Sequence, residues 1–286
     1  LIVTAYKKNQ SYSELASFLA TFGLSSDQIV RINERLGTDA VAMIKENPYI
    51  IQRIRGVGFR TCDRIGRELN AALNSPERIA GGIFEIIGQS LARTGNTCMP
   101  VSAFEKETLR LLNEGIKNTA VTAEMFHEEA RNLARKGSIV FRKKQYVTIA
   151  EYDTAERDTA EILKGMLANE PNIPPLVARG KIEEICNKQA FTLSERQKDA
   201  VKLALSNRVS IITGGPGTGK STILSAIIDS FKALYPNLDV VLMSPTGKAA
   251  RRMAETSHEE ASTIHSRLHI YEGVSEYEPL PNGLIV

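Results

Sequence analysis

The stretch from Gly214 to Thr222 has the sequence GGPGTGKST and matches the pattern G-x-x-x-x-G-K-[ST]. Glycines at this spacing let backbone N–H groups turn inward around an anion, and the helix that follows points its positive end at it. In this pattern the lysine, here Lys220, reaches the β- and γ-phosphates of a nucleotide, and the Ser221 hydroxyl helps to hold Mg²⁺. Because the stretch lies between an apolar run and an apolar helix, we predict a nucleotide site rather than a glycine-rich turn without a ligand.

A second candidate for the same site is Gln197, which precedes the loop in FTLSERQKDAV. It is expected on the helix before the first strand, where its amide could hydrogen-bond an adenine edge. Ser194 and Gln197 also have the spacing of a capping box, S-x-x-Q, which needs no ligand. The spacing alone does not decide between these two roles.

The stretch SPTGKAARRMAE begins at the last residue of DVVLMS, a continuous apolar run typical of a strand buried on both faces of a parallel sheet. Ligands of open α/β sheets bind at the carboxyl ends of the strands. Thr246 and Lys248 could therefore contact a nucleic-acid phosphate. The alternative is a solvated basic helix face.

A fourth stretch, RIRGVGFRTCDRI, fits a helix-hairpin-helix motif. Gly56 and Gly58 would let the backbone approach a phosphate, which the amides of the second helix can bind. Arg60 and Arg64 share one face of that helix within a cluster of arginines, so we predict phosphate contacts that position DNA without reading its sequence. The alternative is a structural turn whose arginines extend to water.

In their order and spacing, FTLSERQ, GGPGTGKST, SPTGKAARRMAE and EASTIHSRL resemble the opening motifs of the RecD family of superfamily 1 (1B) DNA helicases. NPYIIQRIRGVGFRTCDRIGREL resembles the helix-hairpin-helix region of the standalone RecD-like members, which differ at the N-terminus from the exodeoxyribonuclease V α-subunit. The resemblance is weakest from about 85 to 185. It implies an ATP-dependent helicase of DNA recombination and repair that moves 5′ to 3′, with ATP and Mg²⁺ as cofactors. It also implies single-stranded DNA, single-strand/duplex junctions and other repair proteins as partners, in the bacterial cytoplasm at the nucleoid.

The resemblance also assigns roles to individual residues. It makes Gln197 an adenine contact, makes Lys220 and Ser221 catalytic, and makes Ser221 the Mg²⁺ ligand. It places Thr246, Lys248, Thr263 and His265 on the single strand, although a histidine at a helix end is more often a packing or capping residue. The triphosphate and Mg²⁺ contacts that it implies are Gly215, Gly217, Thr218, Gly219, Lys220, Ser221 and Thr222.

The helices and strands expected along the sequence indicate a multidomain chain that is helical in its N-terminal part and α/β in its C-terminal part. The capping-box spacing of Ser11 and Glu14 predicts the start of a helix, and Gly37 and Pro48 are expected to end the next two helices. VSIIT, DVVLMS and GLIV are expected to be buried strands of a parallel sheet. We predict four regions. Residues 1–72 form a helix-hairpin-helix region, and residues 76–150 form a winged-helix-like domain of three helices and a hairpin with Lys143 and Lys144 at its tip. Residues 151–190 form a helical linker that is broken at PNIPP, and residues 191–286 form the first part of a RecA-like P-loop domain.

Composition agrees with a soluble globular protein, since 42% of the residues are hydrophobic and 24% are charged. No apolar run is long enough to span a membrane. The three cysteines lack C-x-x-C spacing, which predicts reduced thiols in an intracellular protein rather than a disulfide frame or a zinc site.

Phosphoryl transfer of this class also needs a carboxylate for Mg²⁺, an acid for the water and arginine fingers. In the family two acids follow an apolar strand, and the chain stops after GLIV, where they should begin. We therefore expect a helicase fragment, truncated before these acids, that binds nucleotide and DNA but hydrolyses ATP poorly. Two alternatives stay open: a DNA-binding or partner-docking module with a non-hydrolysing P-loop domain, and a clamp-type ATPase, which would lack PTGKAA and STIH.

Overall fold

A computed structural model describes residues 2–168, 180, 183–184, 193–270 and 280–286 of the chain. It divides into two compact units, Leu1–Asp158 and Thr159–Val286. Each unit is described by itself.

The N-terminal unit is mainly helical, with one small antiparallel sheet of strand order β1-β3-β2. Its strands are β1 (Met99–Pro100), β2 (Ile139–Arg142) and β3 (Tyr146–Ile149). Two short 3₁₀ turns lie at Gly37–Asp39 and Pro48–Ile51. The helices are α1 (Ile2–Ala20), α2 (Ser26–Leu36), α3 (Ala40–Glu46), α4 (Phe59–Glu68), α5 (Pro76–Thr94), α6 (Val101–Asn113), α7 (Ala123–Arg135) and α8 (Ala150–Ala168), which continues into the second unit.

The first helix start was predicted wrongly. Helix α1 runs without interruption from Ile2 to Ala20, so Ser11 and Glu14 lie inside it and do not form a cap. The same type of pattern works at Ser25 and Gln28, where both reciprocal hydrogen bonds of a capping box are present. The difference is that a loop precedes Ser25, whereas helix precedes Ser11.

The predicted helix ends are confirmed. Helix α2 stops at Gly37, whose φ of +70° lies in the left-handed region that suits glycine. Helix α3 stops at Glu46, two residues before Pro48, and Asn47 accepts a hydrogen bond from the Tyr49 backbone. The three helices and the hairpin expected after Pro76 are also present.

One continuous apolar core joins the helices of this unit to the sheet. It extends from Leu15 in α1, through Ile32 and Ile65, to Ile87 in α5 and Val147 in β3. The predicted regions 1–72 and 76–150 therefore share one core. The boundary between them stays a prediction.

The C-terminal unit contains a parallel sheet of order β5-β4-β6, which confirms an α/β arrangement. Its apolar core includes Leu193, Val201 and Ile227. The strands are β4 (Asp239–Ser244), β5 (Ala261–Thr263) and β6 (Gly283–Ile285), and the helices are α9 (Glu195–Ser206), α10 (Lys220–Leu234), α11 (Gly247–Ser257) and α12 (Ile264–Arg267).

Two strand predictions need correction. VSIIT, residues 209–213, is not a strand: none of the described strands pairs with it, and Ile211 is 81% exposed. GLIV does form β6 on β4, but Ile285 is 48% exposed, so the strand is not buried as expected. An apolar run becomes a buried strand only where neighbours cover it on both sides.

Other features of the chain fall partly outside the described residues. PNIPP and most of the predicted linker after Ala168 are outside them.

Cys62 and Cys98 are free thiols, and burial raises the pKa of Cys62 to about 12. Across the described residues, no helix combines the length and the apolarity that crossing a bilayer requires.

A buried charge lies inside the N-terminal core. The Arg78 side chain is 2% exposed, and its Nε lies 2.6 Å from Oδ1 of Asp63. Arg78 also donates to the Leu73 carbonyl oxygen at 2.7 Å, and the Tyr49 hydroxyl donates to Asp63 at 2.8 Å. Burial by itself would raise the pKa of Asp63, but hydrogen bonds from Arg78 and Tyr49 outweigh it and hold that pKa below its ordinary value.

We expect Arg78→Ala to destabilise the N-terminal unit by about 3–5 kcal/mol, because it leaves the Asp63 carboxylate buried without its main partner. Urea denaturation followed by circular dichroism measures this. Arg67→Ala is the matched control: Arg67 also contacts Asp63, at 3.0 Å, but is 43% exposed, so its loss should cost at most about 1 kcal/mol. Equal effects of the two substitutions would contradict the prediction.

The same pair predicts acid sensitivity. Because the folded pKa of Asp63 lies below the ordinary value of 3.8, its contribution to stability is complete above that pH and is lost as the pH falls through the folded pKa. The urea midpoint of the wild type should therefore exceed that of Asp63→Asn at pH 6, and the gap should narrow below about pH 3.8. A gap that stays constant with pH would refute this.

Candidate functional site

The glycines of the loop before α10 have the conformations that the phosphate-loop pattern requires. Gly217 and Gly219 have φ values of +75° and +81°, which residues with a side chain rarely adopt. A Cβ on Gly214 would lie 2.6 Å from the Thr218 hydroxyl. The loop is exposed along most of its length, so its backbone is open to a ligand.

Lys220 folds back over this loop. Its Nζ donates to the carbonyl oxygens of Gly214 at 2.7 Å and Gly215 at 2.6 Å. The Thr218 hydroxyl also donates to the Gly215 carbonyl, at 2.9 Å. The ammonium group therefore lies at the centre of the loop, where the motif requires a cation for phosphate oxygens.

Ser221 and Thr222 occupy the first turn of α10. Gly219 is the N-cap of this helix and, among the described residues, no side chain caps it, which leaves first-turn N–H groups available to an anion. The described residues contain no cluster of three or more His, Cys, Asp or Glu side chains that could hold a metal by itself. Mg²⁺ commonly binds through few protein ligands together with substrate phosphates, and the exposed Ser221 hydroxyl fits that role.

Gln197 uses its side chain for two structural contacts. Its Oε1 accepts from the Ser194 backbone at 2.9 Å, which together with the Ser194 hydroxyl completes a capping box at the start of α9. Its Nε2 donates to the Thr218 carbonyl at 3.3 Å. The capping role is therefore present and also supports the phosphate loop, while the adenine role stays a prediction.

The structure brings two of the predicted DNA contacts to the same edge of the sheet. Strands β4 and β5 are parallel neighbours, with Ser244 opposite Thr263, so the chain leaves both at their carboxyl ends. Thr246 caps α11 through the Ala249 backbone at 3.3 Å, and Thr263 caps α12 through Ser266 at 3.1 Å. The predicted contacts in the first turns that follow, Lys248 and His265, are both exposed.

A contact between α10 and α11 was missed from the sequence. The Ser225 hydroxyl, one turn after Ser221, lies 3.0 Å from the Thr256 carbonyl at the end of α11. Lys232 further along α10 forms an ion pair with Glu259, just beyond α11. These contacts join the helix of the phosphate loop to the helix that Thr246 caps. The partners are far apart in sequence, and no local pattern indicates them.

The hairpin turn before α4 is present, but its two glycines differ. Gly56 has a φ of +85°, and its carbonyl accepts from the Gln28 side chain. Gly58 precedes α4 without a positive φ, and nothing among the described residues would obstruct a Cβ there. The Phe59 N–H donates to Glu85 Oε2 at 3.2 Å. A phosphate that used this amide would have to displace the Glu85 carboxylate.

The predicted arginine face of α4 lines an open cavity of about 650 Å³ beside the end of α6. Arg60 is exposed and lies 3.8 Å from Glu114. Arg64 donates to the Phe22 carbonyl, so part of its hydrogen-bonding capacity serves the fold. The structure thus places both arginines on one cavity, together with acidic neighbours.

Comparison with known proteins finds one matching family model within each unit. Residues 8–98 match the model of the ATP-dependent RecD2 DNA helicase HHH domain, and residues 197–283 match that of an AAA domain. The ATP-dependent RecD2 DNA helicase of Deinococcus radiodurans is 28% identical over the whole of this chain, which covers 40% of that protein. The RecBCD enzyme subunit RecD of Haemophilus influenzae is 34% identical over 32% of this chain and 18% of its own length.

These matches confirm the resemblance to RecD-like helicases that the motifs predicted, and they confirm the helix-hairpin-helix and nucleotide-binding regions in outline. The chain spans about two fifths of the length of the Deinococcus relative. The activity and partners of a whole protein of this kind are therefore treated as proposals.

Gln197→Glu separates the two roles of Gln197. Glutamate keeps the acceptor that the capping box uses but cannot donate to the Thr218 carbonyl. We expect the Kd values for ATP and GTP to rise by the same factor, at least about three-fold, as one supporting hydrogen bond is lost. Titration with fluorescent analogues of both nucleotides measures this. A loss confined to ATP would instead support adenine recognition.

Proposed function

We propose that this chain provides the nucleotide-binding loop and part of the DNA-binding surface of an ATP-dependent DNA helicase of the RecD type, which moves 5′ to 3′ on single strands in recombination and repair. The observation that carries the proposal is the loop from Gly214 to Thr222, in which Lys220 is centred on the loop and the start of α10 is left uncapped. Similarity to a RecD2 helicase over the whole chain supports it.

In this proposal the loop binds ATP with Mg²⁺. Lys220 exchanges the carbonyl oxygens of Gly214 and Gly215 for phosphate oxygens, while first-turn amides of α10 stabilise the negative charge. The Ser221 hydroxyl would help to hold Mg²⁺, which would supply positive charge at the phosphates. Gln197 would contact adenine only by giving up the bonds of its amide to Ser194 and Thr218.

Single-stranded DNA would lie across the carboxyl edge of β4 and β5. Thr246 and Thr263 offer hydroxyl groups, and Lys248 and His265 are the exposed groups that follow them. The contact of Ser225 with Thr256 packs the helix of the nucleotide loop against the carboxyl end of α11, the helix that Thr246 caps. Gly56, Gly58, Arg60 and Arg64 would add phosphate contacts in the N-terminal unit.

The finer divisions of the chain are part of the same proposal. The element order α5-β1-α6-α7-β2-β3 supports a winged-helix-like domain over 76–150. Junctions of single-stranded and duplex DNA and other repair proteins would be the partners, at the nucleoid in a bacterial cytoplasm. A DNA-binding or docking module with a non-hydrolysing loop is less well supported, because such a module has no need of Lys220 and Ser221.

We also propose that residues 1–286 alone turn over ATP poorly. Hydrolysis in this class requires carboxylates beside the Mg²⁺ site and arginines at the γ-phosphate. The expected property of the isolated chain is nucleotide binding without DNA-stimulated hydrolysis.

Lys220→Ala tests the function. In the complete gene product we expect ATP hydrolysis that single-stranded DNA stimulates and that the substitution lowers by at least about a hundred-fold, since it removes a cation from the transferring phosphate. A coupled ATPase assay with and without oligonucleotide measures it, with Lys248→Ala as a variant that should retain basal turnover but lose stimulation. An ATP hydrolysis rate that single-stranded DNA does not change, or that Lys220→Ala does not lower, would overturn the helicase proposal.

A further inference from the structure

The tip of the β2–β3 hairpin places two lysines in an unfavourable backbone conformation. Lys143 and Lys144 have φ values of +49° and +57°, and Gln145 N donates to the Arg142 carbonyl at 3.0 Å. Two central residues with positive φ define a type I′ turn, in which Asn-Gly is preferred and residues with long side chains are disfavoured. A need for the lysine side chains themselves would explain why lysine occupies both positions although the turn disfavours it.

Both lysines are exposed, and neither has an ion-pair partner among the described residues. The arginine beside them is used differently. Arg142 contacts Asp153 at 2.6 Å and also pairs with Glu156, both from α8. The hairpin therefore pairs the arginine next to its tip with acidic residues of α8 and leaves the two lysines at the tip without an ion-pair partner among the described residues.

The hairpin is held firmly enough to present these cations at a fixed place. The Gln145 carbonyl accepts from Val101 N at the start of α6, at 2.8 Å. Strand β3 pairs on its other side with β1, where Met99 lies opposite Val147. The tip is thus supported by α6, α8 and β1, and it does not depend on its own two strands alone.

An aromatic surface adjoins the tip on one face of the hairpin. Phe141, the residue before Arg142, is 41% exposed. It lines a shallow cavity of about 110 Å³ with Phe104, Phe126 and two groups from α7, His127 and Arg131. Glu105 also borders this cavity and lies 3.4 Å from His127. An exposed ring that shares a cavity with a guanidinium group, close in sequence to two exposed lysines, suits a flat, apolar group attached to an anionic chain.

We infer that the hairpin tip, Phe141 and Arg131 form a binding site for single-stranded DNA, separate from the motor residues. Lys143 and Lys144 contact phosphates, and the Phe141 ring stacks on an unpaired base. The inference extends the proposed function, since DNA is its partner, but it requires no nucleotide. An acidic peptide would satisfy the lysines but would not use an exposed aromatic ring beside them, so DNA is favoured.

The turn itself offers a sharp test. Lys143→Asn with Lys144→Gly installs the sequence that a type I′ turn prefers, so the melting temperature should stay the same or rise while both cations are lost. Fluorescence anisotropy of labelled oligodeoxythymidine on residues 1–286, without nucleotide, measures DNA affinity. The logarithm of the association constant falls linearly with the logarithm of the salt concentration. Loss of two phosphate contacts should make this negative slope shallower by about 1.4. The wild-type affinity should then fall about seven-fold more than that of the variant between about 50 and about 200 mM salt.

Stacking is tested with Phe141→Ala, using Phe141→Tyr as the control that keeps a ring. The alanine variant should bind oligodeoxythymidine at least about five-fold more weakly. It should also lose the preference of the wild type for that oligonucleotide over an abasic one of equal length. The control for the lysine variant is Lys117→Gln, at an exposed lysine in the loop after α6, which should leave the salt slope unchanged, since even one lost phosphate contact would alter it by about 0.7.

Unchanged slopes and affinities in both hairpin variants would overturn the inference, and so would equal wild-type binding of oligodeoxythymidine and a poly-glutamate peptide. Absence of any DNA binding by the chain would overturn it as well. The measurements are repeated in the Lys220→Ala background, where the hairpin effects should persist. A failed ATPase test would therefore count against the motor alone, and a failed hairpin test against this site alone.

Discussion

The charge of Arg78 lies inside an apolar core, and the helices around it are arranged to neutralise that charge. A buried guanidinium is tolerated only when it is paired and hydrogen-bonded. Its partners come from separate segments: Asp63 from α4, the Leu73 carbonyl from the following loop, and Tyr49 through Asp63. Helix α4 cannot shift against α5 without unpairing the charge. The hairpin turn before α4 and its arginine face are therefore fixed in relation to the core.

The C-terminal unit follows the opposite principle, because its main polar groups face solvent. The phosphate loop is exposed and is held by side chains from its two flanking helices, Gln197 on one side and Lys220 on the other. Its helix is joined to α11 by Ser225. One unit thus pairs a cation inside its core, whereas the other holds an exposed cation on backbone carbonyl oxygens, beside helix amides that no described side chain caps.

Much of the local structure and of the candidate site could be predicted from sequence. The glycines and Lys220 of the loop have fixed spacing, and the capping box begins at Ser194, which is extended and not helical, as its physical basis requires. The same pattern failed at Ser11 because helix α1 had already begun. Asp239–Ser244 is a strand with partners on both sides, whereas 209–213 has none among the described strands. An apolar stretch of sequence does not by itself show whether another strand lies beside it to pair with.

Contacts between distant segments were not predictable. The Glu85 carboxylate at Phe59 N, the Phe22 carbonyl at Arg64 and the Thr256 carbonyl at Ser225 each depend on how whole helices pack. No spacing rule connects such pairs. They also modify the predicted sites, since a side chain already bound within the fold must exchange partners before it can bind a ligand.

This exchange has its clearest consequence at Lys220. Its ammonium group is bound by the carbonyl oxygens of Gly214 and Gly215, so the loop carries an internal competitor for its own ligand. Every anion that enters must outcompete these oxygens, and the measured affinity is the intrinsic affinity reduced by the fraction of molecules in which the lysine is free. That factor is the same for every ligand that needs Lys220, so a ligand has to offset it through contacts elsewhere, and the first-turn amides of α10, which no described side chain caps, offer such contacts. Self-occupancy of the loop thus weakens the binding of all such anions alike and leaves the choice among them to the rest of the site.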